Sequence, residues 1–448
     1  MSLSRRDFLR WASLSAAAAP LSWMPTLAAA AADDYRALVC IFLYGGNDGN
    51  NMLIPTDSSA YAAYAGARGA LALPAATLAP LGAGASQGGA TFALHPGLAP
   101  IATLYAQGKL AAVANVGTLV QPMSAADYRS KAKQTPASLF SHSDQQHQWQ
   151  SCESAVLAST GWGGRSADAL LASNAAVSVP ALMSISGSTL FNNGKLTAPL
   201  VLPSSGSFGL RDSGSSAAAV ARNSGLAQIL NLDQGNALVA ASARVLTQAI
   251  ASSGLINPLL QSTSASIGAA FAGLSTSLAA QLMTVAKLIE ARAATGLKRQ
   301  IFFVSLNGFD THSGQLGTQQ TLLGQLGAAM LAFYNATTAM GVVDKVTCFT
   351  ASDFARTLKP NSSGTDHAWG NHHLVLGGAV KGGDVYGRFP TLVLNGPDDA
   401  DGAGRWVPTT AVDQYAATLA SWLGVTATDM TTVLPNLARF ASPHVGFL

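Results

Sequence analysis

The sequence predicts an α/β fold in which a mostly parallel sheet is flanked by helices, and three observations predict it. Apolar runs without alternation recur along the chain and are closed by glycine-rich turns, the pattern of strands covered on both faces. Helix-length segments separate the runs, as crossovers between parallel strands require. Aspartate and histidine follow several runs directly, at the carboxyl ends of strands where open α/β sheets bind ligands.

The first strand is Arg-Ala-Leu-Val-Cys-Ile-Phe-Leu-Tyr, residues 36–44, closed by Gly45-Gly46-Asn47-Asp48-Gly49-Asn50-Asn51. Similar runs predict strands at 110–116, 300–306, 345–350 and 390–394. Helices are expected at 322–338 and 410–423. The middle of the chain is rich in Ala, Ser, Gly and Leu, and amphipathic spacing predicts helices at 218–230, 236–250 and 274–295. It reads as a mainly helical insertion at about 165–298, covering the sheet within a single α/β domain of residues 33–448. The 448 residues are enough to bury one large core.

Residues 1–32 are set apart from the fold. Ser4-Arg5-Arg6-Asp7-Phe8-Leu9-Arg10 precedes a mildly apolar stretch broken by Pro20 and Pro25 that ends in alanines at 28–32. This resembles a twin-arginine (Tat) export signal, and implies passage through the Tat machinery to a periplasmic or secreted location. Tat cargo is folded before export, so a metal can be loaded first. Beyond the leader no run of about 20 uninterrupted apolar residues occurs, so no transmembrane segment is expected in the mature chain. The formal charge of +3 includes the leader's arginines, so it gives no argument for a nucleic-acid partner. Cys40, Cys152 and Cys348 are widely spaced and form no CxxC pattern; they read as small buried residues.

The chemistry is concentrated in two segments. Asn307-Gly308-Phe309-Asp310-Thr311-His312 follows one predicted strand, and Ser352-Asp353-Phe354 follows another, trailed by Thr365-Asp366-His367-Ala368-Trp369-Gly370-Asn371-His372-His373. Four of the eight histidines fall here. Carboxylate and imidazole are the ligands that divalent cations prefer, and Asp48, Asp310, His312, Asp353, His367 and His372 supply enough of them for one or two ions. Zinc, calcium, manganese and magnesium are not distinguished by this set. Taken singly the pieces have ordinary readings: Asp48 as a turn residue, Asp366 as a cap, His373 packed under a strand.

A second group lies at Phe140-Ser141-His142-Ser143-Asp144-Gln145-Gln146-His147. Ser143 at a helix start would have backbone amides near an oxyanion, with His142 as acid or base, so the two are the candidate nucleophile and its partner. Ser141 or Ser143 as a helix N-cap is the alternative reading. Arg356, Asn371, Asn47 and Asn50 are candidate anion contacts, Arg356 because guanidinium binds phosphate or sulfate bidentately; pairing of Arg356 with Asp366 in a salt bridge is the alternative.

Several motifs carry a family resemblance. Phe42-Leu-Tyr-Gly-Gly-Asn-Asp-Gly-Asn-Asn-Met-Leu-Ile-Pro55, Leu94-His95-Pro96, Thr160-Gly-Trp162, Phe309-Asp-Thr-His312 and Ser352-Asp-Phe-Ala-Arg-Thr357 belong to the set, with Thr365-Asp-His-Ala-Trp-Gly-Asn-His372 and Gly404-Arg-Trp-Val-Pro-Thr-Thr410. Together they resemble the family of exported proteins known as domain of unknown function 1501 (DUF1501), across essentially the whole mature chain. That family is similar in plan to the alkaline phosphatase/sulfatase superfamily, and the resemblance implies an alkaline-phosphatase-like α/β fold. It matches Asp48 to the superfamily's first Asp, Asp310 with His312 to the second group, Asp353 to the third, and His367 or His372 to the last. Phe354 stands where a His is expected, and no phosphatase nucleophile motif or sulfatase Cys-x-Pro-x-Arg is present. The expectation is an exported metal-dependent hydrolase of phosphate, sulfate or related esters, acting on a small-molecule or saccharide ester. The alternative is a non-catalytic metal-containing binding protein, with an exported protein of domain of unknown function 1800 (DUF1800) as partner.

Overall fold

In the computed structural model, which describes residues 34–174, 177, 179–210 and 214–448, the run Arg36–Tyr44 forms strand β1. Seven of its nine residues are buried, so both faces are covered and the sequence carries no alternation. The export signal read over residues 1–32 lies outside the described residues.

The remaining strands are β2 (Leu53–Pro55), β3 (Ala79–Ala83), β4 (Thr91–Leu94), β5 (Leu110–Gly117), β6 (Leu182–Ser184), β7 (Leu200–Val201), β8 (Arg299–Asn307), β9 (Val346–Ser352), β10 (Asn371–Gly377), β11 (Val385–Gly387) and β12 (Thr410–Ala411). β2, β4 and β3 make a small antiparallel sheet. The main sheet runs β11-β5-β10-β9-β1-β8-β6-β7, with β12 also on β5. Only β10 is antiparallel to its neighbours, β5 and β9; the other pairings in this sheet are parallel. The protein is therefore α/β, with a mixed, mainly parallel sheet flanked by helices. β10 can reverse because loop 353–370 returns directly from β9 without a crossover helix. It thus begins at the edge where β9 ends.

The helix Gln315–Ala339 makes the crossover from β8 to β9 and buries Leu323, Leu326, Met330 and Phe333. Leu38, Cys40 and Phe42 of β1 join Tyr415, Leu419 and Leu423 of the helix Val412–Leu423 in one buried cluster. Cys40, Cys152 and Cys348 are free and buried, as their spacing implied.

One local expectation is corrected. Residues 390–394 are not a strand: Pro390 has no N–H to give a ladder, and the Thr391 N–H and hydroxyl both donate to Asp398 Oδ2, at 2.9 Å. The stretch 165–298, read as a mainly helical insertion, also carries β6 and β7, which extend the sheet beyond β8. Its helices are Ala217–Leu230, Ala237–Gln261, Ala265–Ala270, Ser277–Glu290 and Arg292–Thr295.

Candidate metal centre

Three loops meet because three strands end together. Tyr44 of β1 pairs with Asn307 of β8, and Leu43 with Ser352 of β9. The turn after β1, residues 309–312 and residues 353–356 therefore emerge at one edge of the sheet. Their close approach requires glycine at two positions. Gly45 has φ of +111°, and a Cβ there would lie 2.4 Å from the Asp310 amide nitrogen; Gly46 has φ of +79°, and a Cβ would lie 2.5 Å from the Phe354 ring. The Gly45 N–H donates to Asp353, 3.2 Å from Oδ1.

Loop 353–370 folds back on itself and lies against the loop after β8. Ala368 N–H donates to the Ala355 carbonyl at 2.8 Å, and Thr357 N–H to the Asp366 carbonyl at 3.0 Å. Thr365 N–H then donates to the Thr311 carbonyl at 3.1 Å, which lays Asp366 and His367 beside Asp310 and His312. The helix His142–Ser151 completes the group. Its first turn places His142 and Gln146, four residues apart, on one face.

The hydrogen bonds on the outer ring nitrogens set what the inner ones can do. Asp353 is buried, and its Oδ2 lies 2.7 Å from His142 Nδ1 and 2.8 Å from Gln146 Nε2. A carboxylate accepts, so the proton sits on His142 Nδ1 and Nε2 is left bare. His367 Nδ1 lies 2.8 Å from the Phe140 carbonyl oxygen, with the same consequence. His312 Nδ1 lies 3.4 Å from Asp366 Oδ1. All three Nε2 atoms face Asp310: that of His142 is 3.5 Å from Oδ2, and those of His312 and His367 are 3.0 and 3.3 Å from Oδ1.

This assembly fits a cation better than it fits itself. The Nε2 atoms of His312 and His367 are 3.0 Å apart beside the Asp310 carboxylate, so a proton or a metal must lie between them. Ligand bonds of about 2.0–2.2 Å in a tetrahedral or octahedral shell put neighbouring donor atoms about 3.0–3.5 Å apart. The distances to Asp310 fall in that range. His142, Asp310 and His367 alone present three donor atoms within 4.8 Å of one another. Asp310 and His312 are roughly half exposed, so the group opens to solvent.

Local electrostatics favour ligation at Asp310 and His367 and oppose it at His142. Burial works to raise Asp310, but Arg356, His142 and His312 outweigh it and hold the carboxyl below its ordinary value. Burial pushes His367 down, toward the neutral form that binds metals. The hydrogen bond that His142 Nδ1 donates to Asp353 raises His142, so this imidazole must give up a proton before it can hold a cation. Phe354 is buried, with its ring centre 4.7 Å from that of His142 and 4.5 Å from that of His367. It forms an apolar floor where the resemblance suggested a ligand, and His367 reaches Asp310 from the loop instead.

Sequence comparison adds one finding. A family described as "Protein of unknown function (DUF1501)" matches residues 35–400. The chain belongs to that family. No curated protein matches it.

Within this DUF1501 chain the sequence-predicted residues separate into two groups. Asp310, His312, His367 and His142 come together, with Asp353 behind them holding His142. Arg356 is buried and donates from Nη2 to Asp310 Oδ1 at 2.9 Å, so its partner is Asp310. Asp48 and His372 stand apart. Asp48 caps the short helix Gly49–Met52, pairs with the buried Arg68, and accepts from Gln315 Nε2 at 2.5 Å and the Asn50 N–H at 3.1 Å. Its carboxylate is fully engaged in joining the first turn to the helix after β8. His372 is buried on β10, accepts the Asn115 N–H at Nδ1 and stacks on Phe389, and burial pushes it down to about 3.

Ser143 is exposed, and its hydroxyl meets Ser141 and Asp144 rather than the histidines. Asn371 holds the Asn47 and Phe354 carbonyls, and Asn50 holds the Arg356 carbonyl, so both shape the loops. Asn47 donates its N–H to Ser352. Sequence reading missed Gln146 and the Phe140 carbonyl. The first was visible in principle as the residue one helical turn after His142; a backbone oxygen leaves no trace in residue identity.

Proposed function

We propose that this protein is an exported metal-dependent hydrolase of phosphate, sulfate or related esters, on a sheet arranged as in the alkaline phosphatase/sulfatase superfamily. The observation that supports it is the convergence of three imidazole Nε2 atoms on the Asp310 carboxylate, each within 3.5 Å. His142, His312, His367 and Asp310 would hold the ion. Three imidazoles and one carboxylate suit zinc or a similar borderline cation over calcium or magnesium. A bound divalent cation would polarise an ester oxygen and lower the pKa of an incoming water.

Asp353, with Gln146 and the Gly45 N–H on the same carboxylate, orients His142; the Phe140 carbonyl and Asp366 do the same for His367 and His312. Arg356 keeps Nη2 on Asp310 while its buried Nε and Nη1 have no partner. The guanidinium charge beside Asp310 would attract an oxyanion held there. Ser143 is given no role, and water serves as nucleophile. A non-catalytic metal-containing binding protein is the second reading, favoured by one observation: among the described residues, no serine, threonine or cysteine side chain is hydrogen-bonded to the His/Asp group. Elemental analysis paired with turnover of p-nitrophenyl phosphate and p-nitrophenyl sulfate decides between them. Turnover lost to a chelator and restored by one divalent metal supports the hydrolase; metal content with no turnover of either ester supports the binding protein.

A further inference from the structure

We propose that Arg405 is a positioning residue of the metal centre: its guanidinium fixes His367 both through the main chain and through the carbonyl that holds the imidazole. The proposal rests on the reading of the His/Asp group as a cation site. Arg405 lies in the Gly404–Thr410 motif, and among the described residues its guanidinium is hydrogen-bonded to no imidazole and to no ligand carboxylate. It acts from behind the ligands.

Arg405 Nε donates to the His367 carbonyl at 2.6 Å. The same guanidinium lies over the Phe140 ring, its central carbon 5.1 Å from the ring centre, close enough for a cation to be attracted to an aromatic face. Phe140 in turn offers its carbonyl to His367 Nδ1 at 2.8 Å. One side chain therefore governs the residue at both ends, the backbone directly and the imidazole by way of Phe140.

Phe140 requires that hold because of its backbone. Its φ is +76°, in the left-handed region that a bulky residue rarely adopts, and Ser138 just before it is at +46°. Such a conformation persists only where the surroundings over-determine it, and it clusters at functional sites. The turn is closed by the Ser141 N–H, 3.0 Å from the Ser138 carbonyl. The Phe140 ring packs on the cluster of Leu119, Trp369 and Val407, with Arg405 over it. Arg405 is itself mounted on a closed turn: its N–H donates to the buried Asp399 at 3.1 Å, its carbonyl accepts from the Ala400 N–H at 2.9 Å, and Nη1 pairs with Asp401.

The test combines zinc titration of the metal-stripped protein with nitrogen NMR of isotope-labelled histidine, which reads the His367 tautomer without metal. Arg405→Met keeps the stem beside the ring and removes the Nε donor and the charge. It is expected to lower zinc affinity by about 10–100-fold, as loss of an outer hydrogen-bond partner does, and to turn the fixed Nδ1–H tautomer of His367 into a mixture. Phe140→Gly is expected to bind zinc more tightly than Phe140→Ala, because glycine takes a positive φ without strain and leaves the carbonyl in place. Either readout unchanged in Arg405→Met overturns the proposal, and so does Phe140→Ala binding as tightly as Phe140→Gly. A lower melting temperature with the tautomer unchanged, the result of a purely structural role, overturns it as well. If Arg405→Met does not fold, the Phe140 pair decides. If wild type binds no zinc, the metal reading fails separately, and a wild-type tautomer in Arg405→Met then overturns this inference by itself.

Discussion

His312 and His367 stand at the open mouth of the sheet, while His372 and His373, a few residues along the same motif, are sealed inside it. The first two are partly exposed, with outer ring nitrogens near oxygen acceptors and inner ones aimed at a shared carboxylate. The second two are fully buried on β10: His372 accepts a backbone N–H and stacks on Phe389, and His373 lies beside Thr350 and edge-on to Trp149. Burial pushes both down to about 3, so they are neutral packing groups. A histidine is placed to serve as a ligand when one nitrogen is held by an acceptor and the other faces an anion and solvent. Residue type and spacing are shared by the two groups and decide neither outcome.

The comparison can be broken by substitutions on either side of it. The largest effect is expected for Asp310→Ala, which removes the carboxylate that the three imidazoles share; metal affinity should fall more than the about 100-fold seen for loss of an outer hydrogen-bond partner, as read by metal titration. His373→Ala should act on the opposite property, lowering stability by about 2–4 kcal/mol through a buried cavity while leaving metal content unchanged. Retained stability with lost metal in that variant would erase the distinction between the two groups.

Acid sharpens the same contrast. The folded pKa values of His372 and His373 lie near 3, below the unfolded value of about 6.5. Their neutral burial therefore contributes stability that is present above pH 6.5 and is lost as the pH falls toward 3, because only the unfolded chain takes up the protons. The melting temperature should drop across that window, and the drop should be smaller in His373→Ala; equal slopes would refute the assignment.

Asp353→Asn should weaken metal binding by about 10–100-fold without unfolding the protein, since the side chain keeps its shape while the charge behind His142 is removed. It should also move the His142 titration, read by NMR in the metal-free protein, down toward its ordinary value. The smallest effect belongs to Ser143→Ala, for which metal content and any ester turnover should be unchanged.

Much of this was legible in the chain, for physical reasons that also explain what was not. β1, β8 and β9 could be read because strands covered on both faces are continuous apolar runs, and a parallel sheet places the residues after them at one edge. β10 begins Asn-His-His and was hidden, because burial of polar side chains depends on partners contributed by distant segments. Residues 390–394 look like a buried strand but contain a proline and an acceptor, Asp398, that together make a loop. Asp48 has the residue type and position of a ligand; what removes it is Arg68, brought back by the helix Ser58–Arg68. Asp353 was legible as a site residue, but its place behind His142 follows from a hydrogen bond that spacing cannot reveal.

The central claim, that Asp310 and the three imidazoles form one metal centre, is tested most directly by elemental analysis of wild type, Asp310→Ala and His372→Ala purified in parallel. The account predicts about one equivalent of a zinc-like divalent metal in wild type, a loss to background in Asp310→Ala, and retention in whatever fraction of His372→Ala folds. Wild-type protein without stoichiometric metal, or Asp310→Ala that keeps it, would contradict the account.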